Sequence, residues 1–433
     1  MSLVNRPKIR LNARILPFII SILFILQLLD PSRIWIMLLV GLGAAWLISY
    51  GWVRALSRDL LLNREMRFGW AQVGDQLEER FTLVNNSRLP ALWVELIDHS
   101  TIPGNQPGRV TGVGGSSENS WQTQRICTQR GLYTIGPTSL IMGDPFGLYN
   151  LHLYDPASIK LTVMPPIVPL PEIEVASGGR VGESRSRPNT LERTVSVNTV
   201  RDFSPGDSLR HIHWPTSARR NQLFVRVFDT STSSNWWIIL DMDQQVQVGQ
   251  GESSTEEHAV ILAASLVDRG LRMGNSVGLV THGTDLVWQP PQEGIENRWK
   301  ILSSLALVHP GSYSLKTLLS NISPSLGQRA SLVLITPNIS GEWLESLLPL
   351  LWRGAVATVL LLEPYSFGGT GDSHNLGRSL DQWNITHYNI TSDLLNRPEA
   401  HPGQSGRWEW HILPSGQAVP VRRPAHLDWK SLT

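Results

Sequence analysis

Histidine pairs and acid–serine combinations are where chemistry could sit, and this sequence concentrates them in one stretch. Residues 200–229 read VRDFSPGDSLRHIHWPTSARRNQLFVRVFD. His211 and His213 stand one residue apart and could supply two nitrogen ligands to a metal such as zinc. No cysteine, glutamate or third histidine lies at a recognisable ligand spacing beside them. Asp207, His213 and Ser217 have the residue types of an acid–base–nucleophile set, but no G-x-S-x-G turn surrounds Ser217 to present its hydroxyl. The enzymatic alternative is therefore a metal-assisted hydrolase using Asp207, His211 and His213. Five arginines (Arg201, Arg210, Arg219, Arg220, Arg226) alternate with Asp202, Asp207 and Asp229. Such a lattice either ties parts of the chain together or offers guanidinium forks to a partner's carboxylates, with Trp214 as an anchor. The interleaved acids, with no aromatic stacking platform in the sequence, point away from nucleic acid.

Local elements must hold these groups. Ser204-Pro205-Gly206-Asp207 reads as a turn, because proline presets φ and glycine adopts conformations other residues resist. Asp207 then caps a short helix over 208–212. From Leu223 the side chains alternate, Leu223, Val225 and Val227 on one side, Phe224, Arg226 and Phe228 on the other, which predicts a strand.

This stretch resembles the signature of the domain-of-unknown-function-58 family, V-R-[DE]-[YF]-x-P-G-D-x-x-R-x-I-[DH]-W-x-x-[ST]-A-R-x-x-x-L-x-V-[RK]-x-[FY]. The matching residues are Val200, Arg201, Asp202, Phe203, Pro205, Gly206, Asp207, Arg210, Ile212, His213, Trp214, Ser217, Ala218, Arg219, Leu223, Val225, Arg226 and Phe228. Pro215 stands where the family often has lysine. Residues 130–137 (RGLYTIGP) and 144–148 (DPFGL) resemble two further family blocks, read physically as glycine and proline turns with Tyr133 and Phe146 plugging a core. The resemblance implies a membrane-linked, non-enzymatic scaffold or adaptor. It also implies a von Willebrand factor A-like domain after the signature, a MoxR-type AAA+ ATPase as partner, and no cofactor. Domains of that type often hold Mg²⁺ through D-x-S-x-S and a later aspartate. Here Asp241-Met242-Asp243-Gln244-Gln245 keeps the first acid and lacks both serines, and Pro337-Asn338 follows the later strand where an aspartate would stand. Asp241 and Asp243 are thus read as a degenerate remnant with no metal expected, Asp241 capping its loop.

The wider chain fits that frame. The net charge of +1 argues against a general polyanion binder, and 17% charged residues fall below the roughly 25% usual for soluble domains. A single cysteine, Cys127, excludes an internal disulfide framework. After a basic segment (1–14) come two apolar runs, 15–29 and 34–53, the second long enough to span a bilayer. A two-helix transmembrane hairpin (15–54) is the expectation; no small-residue cleavage site precedes the second run, as a signal peptide would need. Cations at Arg6, Lys8, Arg10 and Arg14, and again at Arg54, Arg58, Arg64 and Arg67, place both termini and the bulk of the chain in the cytoplasm. A structural envelope module with its domains outside the cell is a third reading. Short alternating segments over 60–165 predict an antiparallel β-sandwich. A Pro/Gly/Ser-rich linker (166–190) leads to the signature region (191–230). Alternating strands and helices over 231–365 then predict an α/β domain with a parallel sheet, followed by an extension, 366–433. The glycine-bearing stretches 112–115 and 368–371 lack the lysine of a phosphate loop.

Overall fold

The structure, a computed structural model, describes residues 7–66, 69–104, 108–170, 173–176, 197–203, 212–220, 222–228, 235–326, 330–393, 409–412, 418–422 and 430–431. For 197–202, 226–228 and the segments after 408 it describes the backbone alone. Two compact units divide the chain: Met1–Pro169 with Leu302–Leu307 and Arg397–Thr433, and Leu170–Ile301 with Val308–Asn396.

In the first unit the basic segment contains β1 (Lys8–Leu11), followed by helices α1 (Leu16–Leu29) and α2 (Arg33–Asp59). Among the described residues, α2 alone is long and apolar enough to cross a membrane; α1 is shorter. The helix α2 outruns the apolar stretch that ends at 53, because Val53 and Leu56 turn into a buried core beyond it. Ten strands follow: β2 (Leu60–Met66), β3 (Trp70–Gln72), β4 (Gln76–Asn85), β5 (Ala91–Asp98), β6 (Arg109–Val113), β7 (Ser117–Ile126), β8 (Gly131–Ile135), β9 (Thr138–Gly143), β10 (Tyr149–Asp155) and β11 (Ile159–Met164). One antiparallel sheet runs β1-β10-β9-β5-β6 and another β2-β4-β7, with Lys430–Ser431 on the outer side of β2. A third, β3-β11-β8, contains the one parallel pair of this unit among the described residues, β3 with β11. Strand β4 (QLEERFTLVN) shows why the sheets form: every second residue is buried, the period of a strand with one face inward. Phe81, Leu83 and Trp121 join Val94, Leu96, Leu140 and Leu151 in one core.

Glu79 occupies one of those inward positions. It belongs to a closed ring of four buried charges, Arg64, Glu79, Asp98 and Arg125, in which each arginine meets both acids. The turn between β9 and β10 corrects an expectation. Asp144 accepts from Phe146 N (2.9 Å) and Tyr149 N (2.6 Å), and this turn leaves Phe146 59% exposed rather than plugging a core. Tyr133 is half-buried against Ile135, Leu161 and Val163.

The second unit begins before the signature. Ile173 is buried, Glu174 N donates to the Tyr388 hydroxyl (3.0 Å), and Ala176 N donates to Thr358 Oγ1 (3.0 Å). This part of the expected linker is therefore fastened down; 177–196 lie outside the described residues. Strands β12 (Val197–Asp202) and β13 (Phe224–Phe228) pair antiparallel around α3 (Trp214–Arg220). The main sheet is built from β14 (Asn235–Leu240), α4 (Thr255–Arg272), β15 (Ser276–His282), β16 (Leu286–Gln292), α5 (Ile295–Leu307), α6 (Leu315–Ile322), β17 (Ser331–Thr336), α7 (Leu344–Trp352), β18 (Val356–Leu362), α8 (His374–Gln382) and β19 (Thr386–Ile390). Its order is β16-β15-β14-β17-β18-β19, with β16 the antiparallel member. Strands β14, β17 and β18 are apolar on both faces, as strands covered by helices on each side must be. Strand β16 (LVWQPPQ) alternates and carries two prolines, which suits an edge. The sheet ends at Ile390, past the expected boundary at 365, because β19 (THYNI) is a polar edge strand.

Candidate functional site

In open α/β sheets ligands bind beyond the carboxyl ends of the strands, where the strand order reverses. In this sheet that point lies between β14 and β17, and Asp241 stands there as the first residue after β14. Its backbone N–H donates to Ile335 O (3.0 Å), the last link of the β14–β17 ladder. The carboxylate is buried and doubly engaged. Thr336 Oγ1 donates to Oδ2 (2.6 Å), and Asp243 N donates to Oδ1 (3.2 Å). Burial pushes its carboxyl up to about 6, against the opposing pull of the Thr336 hydroxyl and the Asp243 N–H.

The bonds continue outward. Asp243 Oδ1 accepts from Gln245 N (3.0 Å). Gln247 Nε2 donates to Asp241 O (3.0 Å), while its Oε1 accepts from Thr255 Oγ1 (2.7 Å). Thr336 Oγ1 accepts from Asn338 N (2.9 Å), and Asn338 Oδ1 accepts from Ser340 Oγ (2.7 Å). Gly311 N donates to Met242 O (2.8 Å), so close to Gly283 that a Cβ on Gly311 would meet Gly283 O at 2.0 Å; only glycine fits there. A hard cation asks for several oxygens in octahedral array. Each oxygen of Asp241 accepts one bond from the protein, and among the described residues no three His, Cys, Asp or Glu side chains come together to hold a metal. Beside these bonds lies an open cleft of about 420 Å³, lined by Gln245, Val248, Pro337, Asn338, Ser340 and Thr370 among others. It carries hydroxyls and amides but no charge.

The signature has a different geometry. Arg201 sits opposite Val225, Asp202 opposite Phe224, and Arg226 opposite Val200 in the β12–β13 pair. His213 precedes α3 and caps it: its Nδ1 lies 2.8 Å from Thr216 Oγ1 and accepts from Thr216 N (3.3 Å). An aspartate could cap in the same way, which accounts for the Asp-or-His choice in the signature. Pro215 lies in the first helical turn, where its missing N–H costs nothing. Ser217 is buried, donating to His213 O (3.0 Å) and accepting from Phe224 N (2.9 Å). Its hydroxyl thus joins helix to strand. Trp214 is 65% exposed, Arg219 and Arg220 are exposed, and the Arg220 guanidinium lies 5.6 Å from the Phe224 ring centroid. Pro205, Gly206, Asp207, Arg210 and His211, with most of the 208–212 helix, lie outside the described residues.

Residues 199–366 match the family model described as a protein of unknown function, DUF58. An uncharacterized Bacillus subtilis protein, YeaD, is 31% identical over 128 residues, covering 30% of this chain and 30% of that protein. The uncharacterized Mycobacterium tuberculosis protein Rv1480 is 22% identical over 168 residues, covering 37% of this chain and 53% of its own. The chain thus spans about half or less of the curated relatives it matches. Among solved structures, an aerotolerance-related membrane protein from Bacteroides fragilis aligns with 40% of this chain and 94% of its own, at 17% identity and a TM-score of 0.26, too low to bear on the fold.

The matched region includes both the capped helix and the Asp241 loop. Ser217→Ala removes the acceptor for the buried Phe224 N–H. It is expected to lower stability by about 1–2 kcal/mol, read as a lower denaturant midpoint at unchanged slope. Of the residues around Asp241, Thr336, Gln247 and Thr255 were not legible as partners. Only the sheet order brings Thr336 to an acid 95 positions away.

Proposed function

We propose that the protein is a membrane-anchored, non-enzymatic scaffold or adaptor. Its signature region and parallel-sheet unit, read as a von Willebrand factor A-like domain, present a surface to a protein partner, and the resemblance to the domain-of-unknown-function-58 family makes a MoxR-type AAA+ ATPase the partner to test. In this reading the two N-terminal helices enter the membrane as a hairpin, and the cation distribution at their ends supports a cytoplasmic location for the larger part of the chain.

One observation carries the reading: the acid at the switch point is buried and bonded by its own chain, while the cleft beside it is open and uncharged, with the amides and hydroxyls of Gln245, Asn338, Ser340 and Thr370 set among valine, isoleucine and proline side chains. Such groups recognise a partner's backbone and side chains and offer no activated nucleophile. Trp214, exposed on a helix capped by His213 and tied down by Ser217, adds a rigid aromatic of the kind that dominates protein interfaces.

The test is capture of full-length tagged protein from detergent-solubilised native membranes, with and without ATP and with EDTA, analysed by mass spectrometry. An AAA+ ATPase is expected in a nucleotide-dependent manner and is expected to persist in EDTA. Trp214→Ala should lower that capture at least ~10-fold, the weight of an interface anchor, with an unchanged melting temperature because the ring is exposed. Absence of any ATPase, together with stoichiometric zinc or manganese in the purified protein, would overturn the adaptor and favour the hydrolase.

A further inference from the structure

Three exposed apolar side chains of the first unit, Phe146, Leu92 and Trp93, stand at one end, while Trp70, Val110, Ile126, Leu132, Tyr154 and Ile159 are exposed elsewhere on its strands. Phe146 tops the turn between β9 and β10, and that turn is bonded to the chain entering α1. Asn12 N and Ala13 N donate to Leu148 O (2.7 and 3.3 Å), and Asn12 Nδ2 donates to Gly147 O (3.3 Å). An irregularity in the β5–β6 pairing spans Ala91 to Val94, and there two consecutive side chains turn outward, Leu92 (55% exposed) and Trp93 (37%). The Trp93 ring lies over Gly143, the residue just before the turn, where an added Cβ would meet it at 2.9 Å. From α2, Trp52 Nε1 donates to Pro90 O (3.1 Å), and the Tyr50 ring stands 5.8 Å from that of Tyr149. Phe146, Leu92 and Trp93 therefore surround the place where the two helices leave the strands. Arg14, Arg54 and Arg88 are exposed near the same chain segments.

Helix length makes this placement consequential. The fourteen residues of α1 rise about 21 Å. In α2 the first buried residue is Ser49, leaving residues 33–48, sixteen residues or about 24 Å. Both arms are shorter than a hydrocarbon core of about 30 Å. No spacer separates helices from strands: β1 ends four residues before Ile15, and β2 starts directly after α2. A short hairpin so tightly joined draws its flanking residues into the interface or thins the bilayer around them.

We propose that this end of the β-strand unit is a seat on the phospholipid bilayer. Phe146, Leu92 and Trp93 enter the boundary between headgroups and acyl chains, and Arg14, Arg54 and Arg88 meet lipid phosphates. Aromatic residues favour that boundary because their rings are apolar at one end and tolerate water at the other. The proposal rests on the reading that the hairpin enters a membrane.

The experiment uses full-length protein in phosphatidylcholine–phosphatidylglycerol vesicles, with an environment-sensitive fluorophore on one introduced cysteine. Cys127 does not compete, being buried with its thiol pushed up to about 12 by that burial. The variants are Ile22→Cys in α1, Phe146→Cys, and Tyr154→Cys, the last about 17 Å along β10 from its start at Tyr149. Quenching is read with nitroxide lipids labelled near the headgroup or at the chain end. The label at 146 should be quenched at least ~2-fold more by the shallow nitroxide than by the deep one, as an interfacial depth requires, and the label at 154 by neither. Deep quenching at 22 with a 146 label behaving like that at 154 would overturn the seat and leave the hairpin standing. No quenching at 22 would remove the hairpin and the seat with it.

Discussion

Arg64→Met is expected to lower the stability of the β-strand unit by about 3–5 kcal/mol, the loss seen when one partner leaves a buried ion pair. Arg64 Nε donates to Glu79 Oε1 (2.9 Å), and Nη1 donates to Asp98 Oδ1 (2.8 Å) and Thr138 Oγ1 (3.3 Å). Arg125 Nη2 closes the ring on Glu79 Oε2 (2.8 Å) and Asp98 Oδ2 (2.5 Å). All four side chains are no more than 8% exposed. The variant therefore leaves two buried carboxylates facing a single guanidinium. Replacing Arg64 and Glu79 together by Met and Leu should recover part of the loss, since the remaining Arg125–Asp98 pair is balanced. Melts of full-length protein in detergent, followed by near-ultraviolet circular dichroism, measure both variants. A single variant as stable as the parent would mean that the ring is not closed in solution.

The same ring sets an acid limit. Burial pulls the Asp98 carboxyl upward, but the hydrogen bond and charge of Arg64, with Ser100 and Arg125, more than offset it and hold the group below its ordinary range. A depressed acid stabilises the fold above its unfolded value of about 3.9, and that stabilisation is lost as pH falls through the folded value. The parent should hold this contribution down to about pH 4 and lose it below, whereas Arg64→Met should show its acid transition at higher pH.

The sequence foretold some of this architecture, and the physics explains where it stopped. The runs NWWIIL, SLVLIT and VATVLLL announce central parallel strands because strands buried on both faces need no alternation. The edges β16 and β19 escaped notice because they are polar or proline-bearing, as edges are. Alternation in β4 was legible, but the role of Glu79 on its inward side was not. Its meaning depends on Arg64, Asp98 and Arg125 arriving from three other strands. Phe146 failed in the opposite sense: an aromatic in a glycine–proline turn looks like a core plug, and its exposure is set by which way the Asp144 bonds turn the backbone. At the candidate site Asp241 was legible as an acid at a strand end. Its partnership with Thr336 was not, because it depends on sheet order rather than on neighbouring sequence.

Asp241→Asn is expected to stabilise the parallel-sheet unit by about 2 kcal/mol near pH 8 and to have little effect or a slight cost near pH 4. The carboxyl is pushed by burial to about 6, roughly two units above an unfolded aspartate, which corresponds to about 3 kcal/mol between the protonated and ionised forms. A raised acid contributes its full stability below the unfolded value and loses it as pH rises through the folded one, so the parent should weaken between about pH 4 and about pH 6 and change little above. An asparagine keeps an oxygen for the Thr336 hydroxyl but sets an amide N–H₂ against the Asp243 N–H, a mismatch of about 1 kcal/mol. Melting the parent and the variant across this range tests the assignment; a variant that kept the parent's slope would place the titrating group elsewhere. The same variant separates two roles for the loop. If the Thr336 and Asp243 bonds serve only to hold the β14–α4 and β17–α7 loops around the cleft, partner capture should survive the loss of charge. If the carboxylate itself opens toward the partner on binding, capture should fall even as the unit becomes more stable.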